Sequence, residues 1–179
     1  MTILTIIDIA TQVAGASQIP TKATTAYNIA EVKRFIYEVG RTYAIIPSDQ
    51  EPAIMAILRE VAKSISGISL RKIPQGDSQA QGSVERLHGT LAGQIKIFRI
   101  TIENNYGIDK IKADDRLMPW IVRHSIFVLN RYHVHADGKT SYQRRWLRSY
   151  QSPLCEFGET IMFKVAPGNP ISDKKFETK

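Results

Sequence analysis

Between Thr2 and Ile73 the spacing of apolar residues switches repeatedly between two patterns, and this limits the possible folds more than any other feature. Runs of adjacent β-branched and aliphatic residues mark strands buried in a sheet. Apolar residues three and four apart mark a helix with one covered face. Residues 2–9 (TILTIIDI) are of the first kind. Val13 to Ile19 reads as a second, weaker strand, with Gly15 at its middle and Pro20 closing it. From Thr21 the period becomes helical through Ile29, Val32, Phe35, Ile36 and Val39, and Gly40 supplies a C-terminal stop. The run Tyr43 to Ile46 predicts a short strand buried on both faces. Pro52 opens a second helix whose stripe is Ile54, Ile57, Leu58, Val61 and Ile65, and Ile68 to Ile73 returns to strand.

The second half is predominantly helical. A polar, glycine-bearing stretch, 74–82 (PQGDSQAQG), predicts a loop. A long helix is expected from about Ser83 to Asn104, with Leu87, Leu91, Ile95, Phe98 and Ile102 on one face. Asp114 or Asp115 can cap a further helix running to about His133, and a short helix follows over 140–149. Trp120, Trp146 and the lone Cys155 are expected to be packed. Residues 159–165 (ETIMFKV) read as a strand before the polar tail PGNPISDKKFETK. Strands alternating with helices make an α/β architecture, a sheet flanked by helices. The expected division is 1–105 as the core, 106–150 as C-terminal helices, and 151–179 as a β extension with a polar tail.

Composition removes whole classes. One cysteine cannot make an internal disulfide or a CxxC zinc motif, and His88, His124, His133 and His135 lack cysteine partners. No apolar run reaches the roughly 18–20 residues of a membrane span. The N-terminal stretch lacks a basic region and carries Asp8 inside its apolar run, so it reads as a strand and not a signal peptide. The formal charge of +7 is uneven: residues 1–84 carry eight basic and seven acidic side chains, residues 85–179 sixteen and ten. Such a second half suits a polyanion.

Two carboxylates stand where chemistry is done in α/β sheets. Asp49 follows an apolar strand directly, in IIPSDQEPAI, and Glu85 follows the polar loop, in GDSQAQGSVERLHGTL, with thirty-five residues between them. A carboxylate at a strand end and one near a helix start can converge over one sheet edge, as hard oxygen ligands for Mg2+ or Mn2+. Two such ions about 3.5–4 Å apart activate the attacking oxygen and stabilise the leaving one in phosphodiester chemistry. Each residue also has an ordinary use, Asp49 in a turn or cap and Glu85 in a favourable first helical turn.

SDQEPAI, the run Ser78 to Glu85 and the interval between the carboxylates resemble the catalytic core of retroviral and copia-type retrotransposon integrases. LNRY (129–132), DGKTSYQRRW (137–146) and LCEFGE (154–159) are similar to landmarks downstream of that core, so the resemblance spans about residues 2–165. It implies an RNase H-like fold, a mixed sheet flanked by helices. It also implies metal-dependent joining of DNA ends to target DNA, with Asp49 and Glu85 as ligands of Mg2+ (or Mn2+). The joining would proceed by in-line attack without a covalent enzyme intermediate. Departures are Glu51 where the family has Gly, Ser141 where it has Pro, and Gly89 and Ala92 where it has basic residues.

The family's third carboxylate has two assignments. Asp8 would complete a triad, but only two strands fit between Thr2 and Pro20, and IIDIATQ resembles the family's second strand with its non-catalytic turn. On that alignment the strand bearing the first catalytic aspartate would lie ahead of Met1, leaving the core without its first strand. DNA contacts are expected from Ser78, Gln79 and Gln81 in the polar segment, from Arg86, His88, Lys96 and Arg99 on the long helix, and from Arg144 and Arg145 in the densest basic cluster. The resemblance further implies homo-oligomers, no membrane association, and an intracellular protein, nuclear if it acts as an integrase. The rival expectation is a catalytically dead remnant that binds nucleic acid or serves as a scaffold.

Overall fold

The computed structural model describes residues 1–48, 51–72 and 78–159. β1 (Thr2–Ile7) and β2 (Ala14–Ile19) form an antiparallel hairpin in which Thr2 faces Ile19 and Ile7 faces Ala14. The turn between them closes through the Asp8 N–H, which donates to Val13 O at 2.8 Å, with Gln12 in the left-handed region. Gly15 is required where it stands, because a Cβ there would lie 2.7 Å from the Phe35 ring. β3 (Ala44–Ser48) and β4 (Ile68–Lys72) pair in parallel, Ala44 against Ile68.

α1 (Ala26–Val39) begins where the Thr25 hydroxyl accepts from the Asn28 N–H, and it stops where Gly40 turns left-handed at φ 68°. α2 (Pro52–Ser64) has proline in its first turn. The buried residues of these helices, Val32, Ile36, Ile57, Leu58 and Val61, take up Leu4 and Ile6 of β1, Ala44 and Ile46 of β3, and Leu70 of β4. The opposite face of the hairpin meets α3 (Ser78–Tyr106) and α4 (Met118–Tyr132). There Ile3 and Ile7 of β1 and Ala14 and Ala16 of β2 pack with Leu91, Ile95, Ile121, Val122 and Ile126. Alternate residues of β1 therefore serve two cores, as a strand between two helical layers must. α5 (Ser141–Trp146) starts from a reciprocal capping box between Thr140 and Gln143.

β2 is capped at one position of its outer edge by a side chain. Asn130 of α4 donates from Nδ2 to Ala14 O at 2.8 Å and accepts the Ala14 N–H at 2.9 Å, making the two bonds that a neighbouring strand would make.

Several expectations are corrected. β3 is covered on one face only, since Tyr43 and Ile45 point away from the α1–α2 layer and are 82% and 65% exposed. Trp120 is 64% exposed because it falls off the stripe of Met118, Ile121, Val122, Ser125 and Ile126 that α4 buries. Cys155 is exposed, in a stretch without helix or strand. α4 begins at Met118, not at an aspartate cap; Asp115 shapes the turn ahead of it, its Oδ1 accepting the Leu117 N–H. α3 starts five residues earlier than its apolar stripe predicts, at Ser78, so Ser78, Gln79 and Gln81 lie on a helix and not in a loop. The short helix ends at Trp146 with Leu147 left-handed, and the expected strand beyond Glu159 falls outside the described residues. No described helix is long and apolar enough to cross a membrane.

Candidate nucleic-acid and metal site

Asp8 sits at the end of β1 with its carboxylate saturated. It accepts from the Thr11 N–H at 3.1 Å and from the Thr11 hydroxyl. It also takes a two-pronged bond from Arg41, Nε at 3.2 Å and Nη2 at 2.8 Å. Burial pushes the carboxyl up, but the Arg41 and Thr11 donors outweigh it and hold the group below its usual value. Four donors occupy the lone pairs a metal would need. The group anchors the start of β3 to the end of β1.

Glu85 has the opposite environment. It lies on α3 in the third turn, exposed, with no hydrogen bond or ion pair among the described residues. His88, Ala92 and Lys96 follow at spacings of three, seven and eleven, on the same face of the helix. That face lies beside β1, because His88 Nε2 and Thr5 Oγ1 share a hydrogen bond at 2.7 Å. The Glu85 carboxylate is thus presented to solvent one turn beyond the point where α3 touches β1.

Asp49 lies outside the described residues, one position after β3 ends at Ser48. Glu51 caps α2 by position and is paired with Lys22 at 2.7 Å. Among the described residues no group of three or more His, Cys, Asp or Glu side chains is placed to hold a metal ion. With Asp8 committed to Arg41, the described donors near Glu85 do not make a metal site by themselves.

The basic residues divide into two groups. Arg86, His88 and Lys96 are exposed along α3, and Arg86 and Lys96 make no side-chain ion pair among the described residues. Arg99 is a clasp: it donates to Ile111 O and lies 3.8 Å from Glu103, holding the loop after α3. Arg144 forks onto Asp137 at 3.0 and 2.8 Å, which pulls that carboxyl down to about 2. Arg145 donates to Val39 O at the end of α1. The cluster that is densest in sequence is therefore largely spent on holding α5 in place. The side chains of Ser78, Gln79 and Gln81 fall outside the described set. Sequence reasoning missed Arg41, whose partner is thirty-three residues away, and Lys110, which faces α3 from the following loop; neither has a local signal.

A hairpin between two helical layers and a parallel pair packed on one of them make an α/β fold. More narrowly, it is the fold of a retroviral integrase catalytic core. The HTLV-2 integrase catalytic core domain in complex with magnesium matches with a TM-score of 0.59 at 17% identity, over 79% of this chain and 82% of that one. The BIV core matches with a TM-score of 0.60 at 19% identity, over 81% and 85%. An integrase chain of a simian T-cell lymphotropic virus intasome gives 0.63 at 16% identity, over 91% of this chain and 54% of that one. No family model matches the sequence, and no match was found among curated proteins.

Proposed function

We propose that the chain is an integrase-type polynucleotidyl transferase core that acts on DNA, of retrotransposon origin. The observation that carries this reading is the exposed, unpaired Glu85 carboxylate on α3 within an integrase-core fold. In this reading Asp49 and Glu85 are the ligands of Mg2+, the ion in the HTLV-2 core structure, or of Mn2+, and Asp8 is not a ligand. Arg86, His88 and Lys96, on the solvent side of the same helix, bind the DNA backbone through its phosphates. The HTLV-2 core was solved in dimeric and trimeric forms, and self-association is proposed for this chain as well.

A second reading, a remnant that binds nucleic acid without joining it, is favoured by a specific observation: Asp8, directly after β1, is saturated by Arg41 and Thr11. A strand-transfer assay with Mg2+ or Mn2+ on the wild type and Glu85→Gln separates the two. The first reading expects joined product from the wild type and a loss of at least about a hundredfold in the variant, the usual scale for an essential catalytic group. Equal product from both would sink it. Salt-sensitive DNA binding with no product from either would establish the second.

A further inference from the structure

The chain between α4 and α5 folds into a tight turn that carries two imidazoles. α4 ends at His133, whose backbone is extended, and Val134 pairs with Thr140 in an isolated antiparallel bridge. The His135 N–H donates to Lys139 O at 3.0 Å, and the Gly138 N–H donates to His135 O at 2.9 Å. Residues 133–135 therefore run as a short extended piece, and side chains two apart on such a piece project to one side. The rings of His133 and His135 stand 5.1 Å apart, centre to centre, with their planes at 88°.

Which nitrogen of His135 is open follows from its partner. The buried Ser141 hydroxyl gives its proton to Gln12 O at 2.7 Å, so toward His135 it can only accept. His135 Nε2 lies 2.9 Å from that hydroxyl and carries the ring proton, which leaves the lone pair on Nδ1. Burial foremost, then the Arg144 and His133 charges, push His135 below its ordinary value of 6.5 against the pull of Asp137. The ring is therefore neutral at pH 7. His133 is exposed, with no side-chain hydrogen bond among the described residues, and can turn either nitrogen toward its neighbour. Asp137 belongs to the same turn, but its carboxylate is committed to the Arg144 fork.

Neutral imidazole is a ligand for zinc and copper and a poor one for magnesium. At a metal–nitrogen distance of about 2.0–2.1 Å an ion lies roughly 3.2 Å from the centre of each ring, so two rings on one tetrahedral ion have centres about 5.2 Å apart. The separation of the two histidines matches this spacing. Ser141 supplies the hydrogen bond on the far nitrogen that orients a ligating ring. We propose that His133 and His135 form a two-histidine site for Zn2+ or Cu2+, held through Nδ1 of His135 and one nitrogen of His133, with water in the remaining positions. The ion ties the end of α4 to the 134–140 turn and, through Ser141 and Gln12, steadies the turn between β1 and β2. The site shares no residue with the DNA-facing side of α3 or with the carboxylates read as Mg2+ ligands, so its failure and that of the integrase reading are distinguishable.

The test titrates the full chain with Zn2+ by calorimetry and with Cu2+ by electron paramagnetic resonance, with Mg2+ in excess throughout. Every protein carries Cys155→Ser, which removes the exposed thiol as a competing ligand. The expected result is one ion per chain, a Cu2+ spectrum with two nitrogen ligands, and a Zn2+-induced shift of the His135 nitrogen resonance at Nδ1 while Nε2 stays protonated. His133→Gln, at an exposed position, should weaken both ions by at least about tenfold, since even a group that only hydrogen-bonds a ligand is worth that much. It should also remove the rise in melting temperature that Zn2+ gives the parent. No binding, binding indifferent to His133→Gln, or a shift at Nε2 of His135 would overturn the site. Binding lost in His88→Gln and kept in His133→Gln would assign the ion to α3 and overturn it as well.

Discussion

β1 and β2 share one ladder and end differently. β2 is finished: β1 pairs with one edge, Asn130 occupies the main chain of Ala14 on the other, and Ser17 donates to the buried Glu31 carboxylate. Glu31 is further held by Arg34 and Arg123, so burial, which pushes its carboxyl up, is overcome by Ser17 and the two guanidiniums. Among the described residues β1 has no such finish on its second edge, and the helix beside it carries Glu85, Arg86 and Lys96 without ion-pair partners. The contrast shows where this molecule has used its polar side chains for structure and where it has left them available. Satisfied charges cluster around β2, α1 and α5, and available ones line α3.

The largest expected effect breaks the closed side. Asn130→Ala removes both bonds to Ala14 and leaves a buried N–H and C=O unpaired, which should cost about 3 kcal/mol in urea unfolding. A cost below about 1 kcal/mol would mean that Asn130 does not close the strand.

A smaller effect is expected at Asp8. Asp8→Ala should cost about 1–2 kcal/mol, reduced by the partial exposure of Arg41. The native carboxyl titrates below its ordinary value of 3.8. Its contribution is therefore complete above the unfolded value and disappears as pH falls through the lower, folded one. The wild type should lose stability relative to Asp8→Ala only below about pH 4, in paired acid titrations. A difference between the two that is flat from pH 7 to pH 2 would remove the ion pair from the account.

The smallest structural effect sharpens the open side. Glu85 makes no hydrogen bond or ion pair among the described residues, so Glu85→Gln should leave unfolding free energy within about 0.5 kcal/mol of the wild type. A larger loss would show that Glu85 is part of the structure and not an available ligand.

β1 and β3 were legible as short apolar runs, β2 and β4 more weakly as short segments bounded by turn signals, and the helices because their stripes recur at three and four residues. What escaped depends on neighbours remote in sequence. Ile45 belongs to a strand by composition, but whether a helix covers its outer face is decided by the arrangement of the layers. Trp120 reads as core by residue type and stands out of the core by phase. Arg145 looked available until the end of α1 came to meet it, one hundred and six residues away in sequence. The early start of α3 was hidden because its first turns carry no apolar stripe, only Ser, Gln, Ala and Gly. Glu85 was identifiable as a helix residue after a polar segment, while its position beside β1 rests on the Thr5–His88 contact, across eighty-three residues.

The Asn130–Ala14 bonds connect residues one hundred and sixteen positions apart. At the roughly 5–20 residues per second of protein synthesis, Asn130 is added about 6–23 s after Ala14. Throughout that interval the main chain of Ala14 on the outer edge of β2 is open to other chains on the same message. A chaperone that shields strand edges would act on this protein before its last helices are made, and a pause in translation ahead of residue 130 would lengthen the period of greatest risk of aggregation.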